Sequence, residues 1–195
     1  MAELRPPEPS SFARAAAEVR ATRFRADLVV REIPAPTGLA PDAIALAGDV
    51  RPDADTGDSV YGTGRFVLLH DPEEPPPWNG PWRIVCFAQA PLEPDIGADP
   101  LLADVAWSWL ADALDAHRAG YHSASGTATK TISKGFGSLS SEGDGSQIEL
   151  RASWSPAGPL GPHVEAWAEL VCMLAGLPPG SEDIAVIGIR RTTRG

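Results

Sequence analysis

Two apolar runs joined by a proline-rich segment constrain the fold of this chain more than any other feature. The runs Gly64–His70 and Trp82–Ala88 are rich in β-branched and aromatic residues, which favour strands. The segment between them, Asp71–Pro81, contains five prolines and cannot continue a regular β-ladder. The pattern therefore predicts two antiparallel strands joined by a long, stiff hairpin loop.

The remaining strand signals cluster along the chain and do not alternate with helices. A helix capped by Ser10 or Ser11 is expected to run to about Ala21. Two further helices are expected, from Asp99–Pro100 to about Arg118 with a stop at Gly120, and from Pro162 to about Ala175. This order predicts an α+β fold, a single domain with a mainly antiparallel sheet packed by about three helices. Further strands are predicted at Leu28–Ile33, Ile44–Ala47, Thr127–Ser133, Ile148–Trp154 and Ile184–Ile189.

The length suits one domain with a large core, because a chain of 195 residues can bury about 70% of its unfolded surface. We expect that domain over residues 10–189, between a flexible tail at 1–9 and a basic tail at 190–195. Cys86 and Cys172 lie in apolar stretches, which is typical of buried thiols in a reducing compartment. The sequence has no membrane span and no signal peptide, so a cytoplasmic location is predicted.

The charge of the chain is unevenly distributed. The net charge is −10, and residues 36–120 account for it with four arginines and fourteen acidic residues. Most of these acids lie in expected loops at 49–58, 71–74 and 93–99. Acidic loops keep a surface soluble or dock a basic partner, and this balance argues against a basic nucleic-acid-binding class.

The sequence contains none of the common catalytic or metal-binding motifs. It lacks the phosphate-binding loop, the nucleophile elbow, the zinc-protease pair and a Cys-x-x-Cys motif. The sequence therefore points to no catalytic residues, no cofactor and no metal. His117 and His122 straddle a helix end, with Asp112 and Asp115 about one turn earlier, and could bind a divalent ion. A histidine near a helix C-terminus is equally expected from the helix dipole.

The tryptophans suggest a binding surface. Trp78 and Trp82 flank the end of the proline-rich loop, and an exposed tryptophan is a common anchor for a partner. The first hypothesis is therefore a non-enzymatic interaction or adaptor domain that binds an unidentified protein partner through the acidic loops and the tryptophan-bearing loop.

Two alternatives remain open. A small-ligand or enzymatic pocket between the sheet and the central helix would use His70, Asp71, Arg83 and His117. In that hypothesis His70 and Asp71 act as base and orienting acid, although an Asp before Pro72 is also a common start of a turn.

The second alternative is an accessory role in RNA processing. It would use the dense basic cluster of Arg20, Arg23 and Arg25. No aromatic platform for bases accompanies that cluster, so nucleic acid is an unlikely partner.

Six stretches carry a resemblance to a known family: Gly64–Pro72, Trp78–Arg83, Asp99–Leu102, Trp107–Leu110, Ser125–Thr127 and Glu149–Trp154. In this order and spacing they resemble the actinobacterial domain-of-unknown-function family 3000 over roughly residues 10–178. The resemblance implies a cytoplasmic protein but no activity, so no site residues are transferred. It also implies that members are often encoded beside a ribonuclease-D-like exonuclease, which suggests that protein as a partner by association.

Overall fold

The computed structural model describes residues 10–51, 61–97, 99–138 and 145–179. The predicted strand at 184–189 and both predicted tails lie outside these residues. The described helices are α1 (Ser11–Ala21), α2 (Pro94–Gly97), α3 (Leu102–Ala116) and α4 (Gly161–Leu174). The described strands are β1 (Leu28–Ile33), β2 (Asp42–Val50), β3 (Thr63–His70), β4 (Trp82–Leu92), β5 (Gly120–Ser133) and β6 (Gly145–Ala157).

The six strands form one sheet in the order β1-β2-β3-β4-β6-β5, and every neighbouring pair is antiparallel. The predicted hairpin is confirmed: His70 pairs with Trp82, and the Asp71 amide donates to the Pro81 carbonyl at 2.9 Å. The predicted α+β class is therefore confirmed.

Helix α1 begins where the sequence predicts and also supports a distant helix. The Ser10 hydroxyl accepts a hydrogen bond from the Ala13 amide at 3.1 Å, which confirms the predicted cap. Glu18 then reaches α4, where its carboxylate accepts bonds from the Leu160 and Gly161 amides at 2.6 and 2.8 Å. A carboxylate at this end of α4 satisfies free N–H groups and complements the helix dipole.

Helix α3 begins later than predicted. Asp99 was expected to cap the helix and Pro100 to open it, but the helix begins at Leu102. The Asp99 carboxylate instead accepts a bond from the Leu101 amide at 2.8 Å. Asp99 therefore stabilises the turn that precedes the helix.

The predicted end of α3 at Gly120 is also wrong. The chain leaves the helix through Arg118, which has a left-handed φ of 56°, and the Ala119 amide donates to the Leu114 carbonyl at 2.8 Å. This bond closes a Schellman-type cap, for which glycine is the usual residue. Gly120 instead begins β5, so the strand follows the helix almost at once.

Helix α4 packs closely on the centre of the sheet because two glycines face each other there. Gly48 and Gly64 are register partners on β2 and β3. A Cβ atom at Gly64 would lie 2.4 Å from a methyl group of Val171 and 3.0 Å from the indole nitrogen of Trp167. The missing side chains therefore make room for Trp167, whose ring also lies 5.8 Å from that of Phe66.

The longer helices in the described residues all lie on this side of the sheet, which we call the helix side. From α1, Phe12 stacks on Trp82 at 6.4 Å between ring centroids. From α3, Trp107 lies over Gly126 of β5, where a Cβ would be only 2.6 Å from its ring. The hydrophobic core is the layer between these helices and the sheet.

A buried polar pair links the sheet to α4. The Trp154 indole donates to Nδ1 of His163 at 3.1 Å, and both side chains are fully buried. Burial lowers the pKa of His163 from its ordinary value of 6.5 to about 4, so the imidazole stays neutral and can accept this bond. The two cysteines are also buried and free, and burial raises the pKa of each thiol to about 12.

We predict that Gly64→Ala destabilises the protein by about 1–3 kcal/mol, because the new methyl group must displace Val171 or α4. Gly145→Ala is the matched control on β6, where a Cβ would meet nothing closer than 3.8 Å. Urea unfolding measures both free energies. Equal values for the two variants would contradict this account of the α4 contact.

We predict a second, pH-dependent loss of stability caused by His163. Its folded pKa is depressed, so the unfolded state binds more protons, and this contribution is complete above pH 6.5. It is lost as the pH falls from 6.5 to about 4, by about 3 kcal/mol in total.

In His163→Asn the amide oxygen can still accept the Trp154 bond but does not titrate, so this slope should flatten in urea unfolding between pH 4 and 7. His122→Asn, on β5 outside the core, should keep the wild-type slope. Equal slopes in wild type and His163→Asn would contradict the prediction.

Candidate functional site

We call the side of the sheet opposite the longer helices the open face. Successive side chains on a strand point to opposite sides, so Val85 and Phe87 lie on this face while Ile84 and Cys86 enter the core. Val85, in the middle of a central strand, is 37% exposed. No helix of the described residues covers this part of the sheet.

A line of arginines crosses the open face. Register partners bring Arg31, Arg65 and Arg151 into one row, with Phe87 between the last two. Neighbouring strands are about 4.8 Å apart, so successive arginines in this arginine row are about 10 Å apart. From β1 to β5 the full row is Arg31, Ala47, Arg65, Phe87, Arg151 and Thr127.

Carboxylates neutralise the two ends of the row but not its centre. Arg31 is paired with Asp49, and Arg151 with Glu149 at 2.6 Å. The Arg151 guanidinium also lies 5.7 Å from the centre of the Phe87 ring. Arg65 is exposed and has no carboxylate within salt-bridge distance among the described residues.

The pKa of Asp49 shows how these charges act. Burial alone would raise the pKa of this carboxyl, but hydrogen bonds from Arg31 and Thr63 outweigh burial. The pKa therefore lies below its ordinary value, with the nearby charge of Arg65 adding to the effect. Asp49 therefore carries a negative charge that holds Arg31 in place at one end of the row.

Arg83, a predicted site residue, lies on the same open face but is buried. Its guanidinium donates to the Ser123 carbonyl at 2.8 Å and to the hydroxyls of Ser153 at 2.7 Å and Ser155 at 3.2 Å. Burial lowers the pKa of Arg83. Neutral oxygens hold this charge, since no carboxylate of the described residues lies within salt-bridge distance.

The proline-rich loop closes one end of the open face. The Ser155 hydroxyl donates to the main-chain carbonyl of Trp78, and Leu69 below this loop is only 3% exposed. Trp78, expected to project into solvent, is half-buried. The loop is therefore a wall beside the arginine row and Arg83.

His70 and Trp82 lie on the helix side, away from Arg83. The His70 ring is tilted by 36° against that of Trp82, with 4.2 Å between the ring centroids, and its Nδ1 lies 3.1 Å from a carboxylate oxygen of Asp42. The expected partner, Asp71, instead accepts a bond from the Glu73 amide at 3.0 Å, as a turn-starting residue does. The sequence did not indicate the Asp42 pair because only the β2–β3 register brings the two residues together.

His117 lies at a third place. Its Nδ1 is 3.3 Å from Glu165, and its Nε2 contacts Glu169, so it ties the end of α3 to α4. In the described part of the chain, no three His, Cys, Asp or Glu side chains are grouped to hold a metal ion. The polar residues proposed for one pocket are therefore distributed over both sides of the sheet and a helix junction.

A cleft of about 610 Å³ lies between α3 and the end of α4. It is not in the predicted position between the sheet and α3, where buried residues such as Ala106 and Leu110 fill the space. Its lining includes Trp109, Asp112, Ala116, Glu169, Met173 and Leu177.

The arginine cluster at the end of α1 is largely neutralised. Arg20 makes a two-bond pair with Glu32 at 2.8 Å, and Arg25 a similar pair with Asp27. Arg23 is exposed. These pairs reduce the charge that this cluster could offer to a phosphate.

Comparison with known families gives one match. The model of the family described as "Protein of unknown function (DUF3000)" matches residues 8–185. The chain belongs to this family. Neither a curated protein nor a solved structure gives a significant match. Within the described residues of this DUF3000 protein, no helix is long and apolar enough to cross a membrane.

Proposed function

We propose that this DUF3000 protein is a non-enzymatic interaction domain that binds an acidic partner protein on its open face. The observation that carries the proposal is the arginine row, which crosses a sheet face that no helix of the described residues covers and has apolar side chains beside it. Val67, Val85 and Phe87 supply that apolar centre. Arginine and aromatic side chains are the residue types that contribute most to binding at protein interfaces.

The distribution of charge on the open face supports an acidic partner. The strands place four arginines on the open face, Arg31, Arg65, Arg83 and Arg151, against the two carboxylates of Asp49 and Glu149. This local excess of two positive charges lies on a chain of net charge −10. A partner with carboxylates is attracted to this face and repelled by the acidic remainder, which orients its approach.

The interaction hypothesis is retained, but the binding surface is now the open face and not the acidic loops. Most of the acidic loop at 49–58 lies outside the described residues, so its docking of a basic partner stays a prediction. The half-buried Trp78 contributes as one wall of the surface. We also propose that the protein lies in the cytoplasm of an actinobacterial cell. In this proposal the ribonuclease-D-like protein is its partner.

We predict that Arg65→Glu/Arg151→Glu abolishes capture of the partner from cell extract, because it reverses the charge of the two exposed arginines on either side of Phe87. Arg23→Glu is the matched control, an exposed arginine at the end of α1. Tagged wild-type protein should recover an acidic protein at low salt and lose it as the salt concentration rises. Equal recovery by wild type and the double variant would count against the open face.

A second candidate function is binding of single-stranded RNA. One specific observation favours it: Phe87 stands between Arg65 and Arg151, so a base could stack on the ring while the arginines bind flanking phosphates. The acidic remainder of the chain opposes a polyanion. The acidic protein therefore remains the main proposal.

For RNA we predict that a fluorescent single strand of about ten nucleotides binds at low salt, as measured by anisotropy. Phe87→Ala should weaken binding at least about tenfold because it removes the stacking platform. The triple variant Arg20→Ala/Arg23→Ala/Arg25→Ala should bind like wild type. Absence of binding at low salt, or loss only in the triple variant, would rule out this use of the open face.

A further inference from the structure

The last strand of the sheet is a long edge. β5 runs over Gly120–Ser133 and pairs with β6 on one side only. Within the described residues, no other strand pairs with its outer edge. An unpaired edge presents a row of main-chain N–H and C=O groups that can bind another strand.

The two edges of the sheet differ in how they are protected. β1 has only six residues, includes Arg31 and Glu32, and is followed by Pro34, all of which discourage further pairing. On β5 the register shift between His122 and Ser125 disturbs only the beginning of the strand. Residues 125–133 contain no proline and one charge, so they form a regular and unprotected edge.

That one charge does not block the edge. The Lys130 ammonium donates to the main-chain carbonyl of Asp99 at 2.7 Å, on the helix side of the sheet. The alternate residues Thr127, Thr129 and Thr131 lie on the open face. Threonine is β-branched and favours strand structure, so the segment suits a strand with neighbours on both sides.

Apolar side chains follow the helix side of this edge. Ile132 is 63% exposed, and Trp107, which lies over Gly126, is 36% exposed. Leu101, two residues after the carbonyl held by Lys130, is 62% exposed. We call these three residues the apolar shelf, and an exposed group of this kind beside a free strand edge is typical of an interface.

We propose that β5 is a self-association edge, through which two copies of the chain pair antiparallel over residues 125–133 about a two-fold axis. The two sheets then continue into one sheet of twelve strands. This proposal does not depend on the partner proposed for the open face.

Symmetry and charge favour a second copy of the chain as the partner that binds the edge of β5. When two copies of β5 pair antiparallel, the N–H groups of each copy face the C=O groups of the other. The two-fold axis also places the helix sides of the two copies on the same side of the joined sheet. The apolar shelf of one copy then lies beside that of the other. Two chains of net charge −10 repel each other over most of their surfaces, whereas residues 125–133 carry no acidic side chain.

The test measures molar mass by light scattering or sedimentation as the protein concentration rises. Wild type should approach twice its 20.5 kDa mass. Ile132→Asp should weaken the dimer at least about tenfold, because pairing centred on residue 129 places Ile132 opposite Gly126 of the other copy, where the new charge would be buried beside Trp107. Leu39→Asp, at a similarly exposed position (56%) far from β5 in sequence, should leave the dimer intact.

Amide hydrogen exchange locates the interface. Amides in residues 125–133 should exchange more slowly in concentrated wild-type samples, and Ile132→Asp should remove that protection while its circular dichroism stays native. A monomer mass at every concentration would overturn the proposal. A dimer that Ile132→Asp does not weaken, or that leaves residues 125–133 unprotected, would overturn it equally.

Discussion

The contact of Trp167 with the Gly48–Gly64 pair is the interaction on which the rest of the structure depends. The two glycines let α4 approach the central strands, where the indole covers space that side chains would otherwise fill. Glu18 then holds the first turn of α4 from α1, and His163 accepts a bond from Trp154 beneath it. One helix therefore joins the centre of the sheet, the N-terminal helix and β6.

This arrangement leaves the other side of the sheet as a surface. Side chains alternate along each strand, so those on the helix side form the core and those on the open face form rows set by the strand register. The arginine row belongs to the open face, and so does the buried Arg83 at the end closed by the proline-rich loop. The edge of β5 continues the same sheet, so a partner on the open face and a second copy at β5 would occupy adjoining surfaces.

Elements with strong local signals were predictable from the sequence. The serine cap of α1, the bounds of β1 and the proline-rich hairpin follow from neighbouring residues alone, and the structure agrees with each. The end of α3 was not predictable, because Arg118 adopts the left-handed conformation that glycine usually supplies. Short strand signals also underestimated β2, which extends to Asp42–Val50 through pairing on both of its edges.

The candidate site was predicted only in part. Arg83 and Trp78 were chosen from their local setting, and both lie at one end of the open face. His70 was paired with its sequence neighbour Asp71, whereas the structure pairs it with Asp42. Arg65 and Arg151 were not chosen, since neither stands out within its own strand and only the register places them on either side of Phe87.

The sequence by itself determined the fold class and most of the helices and strands, because caps, prolines and apolar periodicity act over a few residues. It also determined the family, since the family model matches the chain directly. The tertiary structure alone decided which side of the sheet is covered and which charges gather on the other. That decision depends on strand register and on the placement of α4, both set by contacts between residues far apart in the chain. The net charge of −10 is thus fixed by composition, while the basic surface within it exists only in the folded sheet.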